Sequence, residues 1–307
     1  MNLTLMSRPS VGFMTQTEIE TLPTAGSFRI GGDLPVRRLG FGAMRLTNAG
    51  GDGIWRGPAD PAAAVAVLRR AIELGVQHID TADSYALGAN EELIAQALHP
   101  YADDVVIATK IGNTRPGPDE WVPVGHPAYL RQQAELSLRR LRVERLDLLY
   151  LHRVDPAVPL ADQVGALAQL QQEGKVRHIG LSEVSVDEIR QAQQVAPIAA
   201  VQNLYNFSTR DHDPVLDYTA AEGIAFVPFF PVGAGEHTKQ AGALADVARQ
   251  TGATPAQIAL AWLLHRAPHV MPIPGTTSLN HLTENIAAAN LALTPDQLAR
   301  LDVGKDT

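Results

Sequence analysis

Short apolar runs rich in β-branched residues alternate with longer amphipathic stretches along almost the whole chain, and this alternation most limits its fold. Each run with its following stretch predicts one βα unit, and eight such units predict a (β/α)8 TIM barrel of the α/β class. The strands are expected near residues 39–43, 77–81, 105–110, 147–151, 177–182, 198–203, 224–229 and 270–274. The helices are expected near 61–74, 90–98, 127–141, 160–173, 185–195, 213–222, 254–265 and 280–290.

An open, doubly wound sheet is the structural alternative, but no glycine-rich dinucleotide fingerprint follows the first strand. Phe28 to Arg37 predict an N-terminal β-hairpin with Gly31-Gly32-Asp33 as its turn. Long connections follow the first, third and seventh strands, at residues 45–60, 111–126 and 230–243. We therefore expect these long loops on the C-terminal face, where they would shape a substrate pocket.

The length of 307 residues suits one large barrel or two ordinary domains. We expect one barrel domain over residues 27–307, and a flexible tail over residues 1–26 that lacks the pattern of a secretory signal. The net charge of −8 argues against nucleic acid or an anionic membrane as partner. The absence of cysteine excludes thiolate chemistry, and no apolar run has the roughly 18 residues of a membrane helix. A cytoplasmic location is the expectation.

Four polar residues end or follow consecutive predicted strands: Asp80, Tyr85, Lys110 and His152. Side chains at the C-terminal ends of barrel strands converge on one site. A free phenol, with a pKa near ~10, is a weak acid at neutral pH, and a neighbouring ammonium lowers that pKa. We therefore expect Lys110 to lower the pKa of Tyr85, Asp80 to orient Lys110, and His152 to hold a substrate oxygen. The set predicts general acid catalysis by Tyr85 at a carbonyl oxygen.

Each of these residues has an ordinary structural interpretation when it is taken singly, such as a solvated strand end for Lys110 or a structural histidine for His152. Their equivalent positions on successive strands favour catalysis. A metal-dependent lyase or isomerase is a further alternative, but it would need ligands on several strand ends. Only Asp80, Asp83 and His152 are candidates for that role.

An ordered set of segments between Leu39 and Asp302 resembles the aldo-keto reductase superfamily. These segments are residues 39–44 (LGFGAM), 80–94, 108–110 (ATK), 147–156, 174–182, 201–206, and 273–278 (IPGTTS) with Glu284-Asn285. The family's catalytic tetrad falls on the same four residues. The resemblance implies a (β/α)8 barrel without a Rossmann domain, and NADPH-dependent reduction of an aldehyde or ketone to an alcohol.

The resemblance also implies where the nicotinamide binds. The family holds the carboxamide with a Ser-Asn pair after the fifth strand and a Gln on the sixth; Ser182 and Gln202 match, but Glu183 replaces Asn. A carboxylate cannot donate a hydrogen bond to the amide oxygen. Phe229 takes the place of the aromatic residue that stacks on the nicotinamide, unless it merely belongs to the core. Other implied cofactor contacts are Gly42, Ala43, Met44, Phe230, Pro231, Val232 and Gly233.

The segment 275–285 resembles the family's adenosine-phosphate clamp, in which hydroxyls and amides at a helix start suit phosphate. Its implied contacts are Gly275, Thr276, Thr277, Ser278, His281, Glu284 and Asn285. Gly275 and His281 stand where many relatives have Lys and Arg, and histidine is only partly charged at pH 7. NADPH is therefore the expected cofactor, with NADH as an alternative. Glu284 and Asn285 either face the adenine or merely cap and pack the helix.

Loop residues such as Trp55 and Trp121 resemble a bacterial subgroup that includes pyridoxal reductases. These two residues, with Phe229 and Phe230, are substrate-wall candidates, or alternatively loop anchors. We expect a small-molecule carbonyl substrate, with pyridoxal as one candidate, and a monomer or weak homo-oligomer. The alternative function is a cofactor-binding regulatory or sensor protein that uses the same barrel with little turnover.

Overall fold

The computed structural model describes residues 25–48, 54–233 and 242–302. The strands within them are β1 (Ser27–Ile30), β2 (Leu34–Arg37), β3 (Phe41–Gly42), β4 (His78–Asp80), β5 (Val106–Ile111), β6 (Asn113–Thr114), β7 (Val122–Pro123), β8 (Leu146–Leu151), β9 (Val176–Ser182), β10 (Ile198–Gln202) and β11 (Ala225–Phe226). The α-helices are α1 (Pro61–Glu73), α2 (Ala89–Leu98), α3 (Pro127–Leu141), α4 (Leu160–Gln172), α5 (Val186–Gln193), α6 (Asp213–Glu222), α7 (Gly242–Thr251), α8 (Pro255–Arg266), α9 (Leu279–Ala287) and α10 (Pro295–Asp302).

In the part of the chain that the structure describes, seven strands form one parallel sheet in the order β11-β10-β9-β8-β5-β4-β3. The extended segment 269–274 closes it: Met271 N donates to Phe226 O over 2.8 Å, and Gly42 N donates to Pro274 O over 3.2 Å. The predicted barrel is confirmed. The prediction of a regular eighth strand at 270–274 is wrong. Pro272 and Pro274 lack N–H groups, so this segment cannot make a regular ladder of hydrogen bonds.

The helix predictions are confirmed to within about two residues because local capping sets their starts, except that α9 ends at Ala287 and a 3-10 turn, Ala288–Asn290, forms the end of the predicted helix 280–290. Asp60 accepts from Ala63 N at the start of α1, and Ser185 with Glu188 forms a capping box at α5. Sequence reasoning missed α7, α10 and the small β6–β7 hairpin inside the connection 111–126. Of the predicted N-terminal tail and the other two long connections, residues 1–24, 49–53 and 234–241 lie outside the described residues.

The barrel interior is closed from below by the predicted N-terminal hairpin, β1–β2, which is confirmed. Its side chains Ile30, Leu34 and Val36 join the apolar cluster inside the barrel. Higher in the barrel the Tyr150 ring lies against Gly180, where a Cβ atom would come within 2.4 Å of it. Glycine therefore leaves the room that this ring needs. No helix among the described residues is long and apolar enough to span a bilayer.

Candidate active site

The ammonium of Lys110 is the centre of a buried hydrogen-bonded group at the C-terminal end of the barrel. Alternation along β4 turns Ile79 outward and Asp80 inward, and the inward side chain of Lys110 arrives from the neighbouring strand β5. Lys110 Nζ lies 2.5 Å from Asp80 Oδ1, 2.7 Å from Thr81 O and 3.4 Å from Tyr85 Oη. All three N–H groups of the ammonium therefore have acceptors.

Tyr85 opens a 3-10 turn, Tyr85–Gly88, in the loop that follows β4. The loop is held by its backbone, since Asp83 N donates to Lys110 O over 3.0 Å and Tyr85 N donates to Ala82 O over 3.2 Å. Because the Tyr85 oxygen accepts from Lys110, its own proton points elsewhere. The Tyr85 side chain lines a cavity at this end of the barrel, so its proton is available to a molecule bound there.

Burial and charge have opposite effects on the pKa values of Tyr85 and Lys110. Burial raises the pKa of Tyr85 above its ordinary value, although the charge of Lys110 acts to lower it. Lys110 therefore acts on the pKa of Tyr85 in the expected direction, but in the protein alone desolvation of the phenolate outweighs the ammonium and the net pKa is raised. Burial would lower the pKa of Lys110, but the charges and hydrogen bonds of Asp80 and Tyr85 raise it instead. Lys110 stays charged and Tyr85 stays protonated at neutral pH.

His152 follows β8 and is held beside Tyr85, with its ring edge-on to the phenol and the ring centroids 5.8 Å apart. Burial, assisted by the charges of Lys110, Arg153 and Arg115, lowers the pKa of His152 well below its ordinary value. The ring is therefore neutral at pH 7. Its Nδ1 lies 3.2 Å from the Ser84 hydroxyl, which leaves Nε2 for a bound molecule.

Asp80, Tyr85 and His152 form the floor of a cavity of about 500 Å³. The wall above them is largely apolar and aromatic. The lining residues other than Asp80, Tyr85 and His152 are Gly42, Met44, Arg45, Ile54, Asn113, Trp121, Pro123, Arg153, Ser182, Gln202, Phe229, Phe230, Pro231, Val232, Gly233, Ile273 and Gly275. Among the described residues no cluster of three or more histidines and carboxylates is arranged to hold a metal ion.

Of the residues that the sequence suggests for the substrate wall, Trp121 lines the cavity and Trp55 does not. Trp121 lies edge-on to Tyr85 and His152, at centroid distances of 6.3 and 6.1 Å. The guanidinium of Arg115 stacks 3.7 Å from the Trp121 ring centroid and lies 5.7 Å from that of Trp55. Trp55 therefore stands behind the wall, against the cation that supports Trp121.

The expected cofactor residues divide into two groups. Those that line the cavity are Gly42, Met44, Ser182, Gln202, Phe229, Phe230, Pro231, Val232, Gly233 and Gly275. Those that do not are Ala43, Glu183, Thr276, Thr277, Ser278, His281, Glu284 and Asn285. In the second group, Thr276 Oγ1 accepts from Ser278 N over 3.0 Å, and Ser278 caps α9 by accepting from His281 N over 3.4 Å. These hydroxyls thus shape the start of α9 next to the rim.

Glu183 has a position that the sequence did not indicate. Its backbone takes a left-handed conformation, with φ of 56°, and its carboxylate accepts from Leu204 N over 2.5 Å. The same carboxylate lies 4.0 Å from His212 Nε2. The Glu183 side chain therefore binds the loop that contains Leu204 and does not line the cavity. Gln202 does line the cavity, but its Nε2 atom also donates to Asp80 Oδ2 over 2.8 Å.

Two arginines at the site were missed by sequence reasoning. Arg153 Nη1 donates to His152 O over 2.7 Å and to Ser182 Oγ over 3.1 Å. Arg115 donates to the carbonyl oxygens of three loop residues around the cavity, which are Ile54, Ser84 and Glu120. The position of Arg153 directly after His152 is a signal that could have been used. Nothing in the sequence around Arg115 marks its role, since its partners come from distant segments.

Comparison with known proteins gives a consistent result. Residues 38–304 match the sequence model of the aldo/keto reductase family. An uncharacterized oxidoreductase of Schizosaccharomyces pombe is 46% identical over 278 residues, covering 91% of this chain and 89% of that protein. Pyridoxine 4-dehydrogenase of Escherichia coli is 44% identical over 277 residues, covering 88% of this chain and 96% of that protein.

Among solved structures, that of an aldo-keto reductase from Klebsiella pneumoniae in complex with NADPH resembles this fold. It superposes with a TM-score of 0.76 at 28% identity, covering 91% of this chain and 94% of that one.

Proposed function

Because this chain belongs to the aldo/keto reductase family and is an oxidoreductase of that family, we propose that it reduces an aldehyde or ketone to an alcohol with NADPH, using Tyr85 as the general acid. One observation carries the proposal. The hydrogen-bonded series Asp80–Lys110–Tyr85 ends in a phenol that lines the cavity beside a neutral His152.

Each residue then has a defined part in moving one proton. Lys110 binds the Tyr85 oxygen, which directs the phenolic proton into the cavity and stabilises the phenolate that remains after proton transfer. Asp80 neutralises Lys110, and Gln202 occupies the second carboxylate oxygen of Asp80. His152, held through Nδ1 by Ser84, donates from Nε2 to the same carbonyl oxygen and fixes its position.

The residues present fit a nicotinamide cofactor. The cavity wall combines the hydroxyl of Ser182 and the amide of Gln202, which suit a carboxamide, with the ring of Phe229, which suits a flat heterocycle. NADPH, when bound, supplies the hydride that reaches the carbonyl carbon. The solved relative from Klebsiella pneumoniae that binds NADPH supports this choice of cofactor. NADH remains the alternative, because residues 275–285 contain no lysine or arginine to pair with a 2′-phosphate.

The substrate that we favour is an aromatic aldehyde of the pyridoxal type. Support comes from the 44% identity to pyridoxine 4-dehydrogenase, which extends over 88% of this chain. The cavity agrees in chemistry, since Trp121, Ile54 and Phe230 offer flat and apolar surfaces to an aromatic ring.

The direct test follows NADPH and NADH oxidation with aldehydes, ketones and pyridoxal, for the wild type and for Tyr85→Phe. We expect oxidation that depends on Tyr85 and falls by about 10²–10⁴-fold in the variant, the usual contribution of a general acid. NADPH affinity, measured by fluorescence titration, should be almost unchanged in Tyr85→Phe. Tight cofactor binding without turnover on any carbonyl would instead support the regulatory or sensor function.

A further inference from the structure

We infer that Arg153, together with the Ser182 hydroxyl that it orients, binds the carboxamide oxygen of the nicotinamide and so replaces the asparagine that this chain lacks. This inference rests on the proposed function, because it assumes a nicotinamide cofactor. It concerns a residue that the sequence did not suggest, and it explains how a chain with Glu183 at this position still has a donor for the amide oxygen.

The guanidinium of Arg153 has hydrogen-bond donors to spare at the cavity wall. Its Nη1 atom is occupied by His152 O, at 2.7 Å, and by Ser182 Oγ, at 3.1 Å. No described residue accepts a hydrogen bond from its Nε or Nη2. A guanidinium carries five N–H groups and accepts nothing, so its remaining N–H groups suit an acceptor such as a carbonyl oxygen. Arg153 lines the same cavity as Ser182, Gln202 and Phe229, and its charge lies 5.8 Å from the Phe229 ring centroid.

Ser182 is given a direction by the same contact. A hydroxyl has one proton to donate, and the Ser182 oxygen already accepts from a cation. Its proton is therefore free for a second acceptor, and a hydroxyl polarised in this way is a stronger donor. The pair therefore has two kinds of donor, the Ser182 hydroxyl and the remaining N–H groups of Arg153, for an amide oxygen with two lone pairs.

Glu183 does not compete for this role. Its carboxylate is bound to Leu204 N and turned away from the cavity. It still lies near enough to Arg153 to interact favourably with its charge. A neutral asparagine would have met the amide oxygen directly, whereas here the acidic residue balances the charge of the arginine that takes over the contact.

The test is a thermodynamic cycle in which the Arg153 side chain and the carboxamide oxygen of the cofactor are changed separately and together. Binding of NADPH and of its thionicotinamide analogue, whose sulfur is the weaker acceptor, is measured by fluorescence titration for wild type and Arg153→Met. We expect Arg153→Met to weaken NADPH binding about 10- to 100-fold, the range for a hydrogen bond from a charged donor. The wild type should bind NADPH roughly tenfold more tightly than the analogue, and the variant should bind both alike.

Two further variants make the result specific. Arg70→Met removes a surface arginine of α1 that pairs with Glu73, and it should keep the discrimination between the two cofactors. Ser182→Ala should reduce that discrimination, and it serves in place of Arg153→Met if thermal melting shows that the latter is unfolded. Discrimination that stays at the wild-type level in both site variants, with NADPH bound normally, would overturn this inference alone. Wild-type protein that binds neither cofactor would overturn the proposed function as well.

Discussion

The ammonium of Lys110 donates to the carboxylate of Asp80 over 2.5 Å, and both side chains are almost completely buried. Such a pair is costly to bury and costly to break, because removal of one partner leaves the other as an unpaired charge in a low dielectric. Its position at the ends of two adjacent parallel strands, β4 and β5, therefore links the stability of the barrel to its chemistry.

This link predicts the behaviour of a variant that removes only one charge. Lys110→Met should lower the free energy of unfolding by about 3–5 kcal/mol, since Asp80 keeps only Gln202 and its backbone surroundings. The double variant Lys110→Met/Asp80→Asn should recover most of that loss while staying inactive. Urea denaturation measures both. Equal stability of the single and double variants would contradict the prediction.

The pH dependence of carbonyl reduction follows from two pKa shifts. The pKa of Tyr85 is raised, so the acid keeps its proton throughout the neutral and mildly alkaline range. The pKa of His152 is lowered well below its ordinary value, so the ring stays a neutral donor there too. We expect kcat/KM for the carbonyl, at saturating NADPH, to be flat between about pH 6 and 9. An inflection near pH 7 to 8 would show that Lys110 prevails over burial at Tyr85.

The convergence of the four proposed catalytic residues could be predicted from the sequence, because they lie where strands end. In a parallel barrel, position in the strand determines which side chains meet, and Asp80, Lys110 and His152 all occupy that position. The helices were predictable for a similar reason, since caps such as Asp60 act over only three residues.

The remaining features depend on contacts between distant segments. The carboxylate of Glu183 turns toward Leu204 N, which is 21 residues away in sequence. The direction of the pKa shift of Tyr85 depends on how much burial opposes the charge of Lys110, and a one-dimensional pattern contains no measure of burial. The segment 269–274, which closes the barrel, makes backbone hydrogen bonds to Phe226 on one side and to Gly42 on the other. Its prolines nevertheless interrupt the regular ladder of a strand.

A second pH prediction concerns stability rather than rate. His78 is fully buried beneath Asp80, and burial lowers its pKa from 6.5 to about 4. Below about pH 6.5 His78 binds a proton in the unfolded chain but stays neutral in the folded protein. The free energy of unfolding therefore falls as the pH drops from 6.5 toward 4. We expect this loss to be about 3 kcal/mol smaller in His78→Leu. Urea denaturation at several pH values tests this, with exposed His99→Gln as the control; equal slopes in wild type and His78→Leu would refute it.

Arg115 supports Trp121, which we propose to be part of the substrate wall, through contacts that do not involve Tyr85 or Lys110. It stacks on Trp121 and donates to carbonyl oxygens in three loops. The guanidinium group can make these contacts at the same time because it is planar and carries five N–H groups that point in different directions. Arg115→Lys keeps the charge but loses the planar guanidinium group, so Trp121 should lose its fixed position. We expect KM for aromatic aldehydes to rise about tenfold, a loss of about one hydrogen bond, with kcat nearly unchanged. Arg190→Lys on the exposed face of α5 is the control. A fall in kcat at constant KM would instead place Arg115 in the chemistry itself.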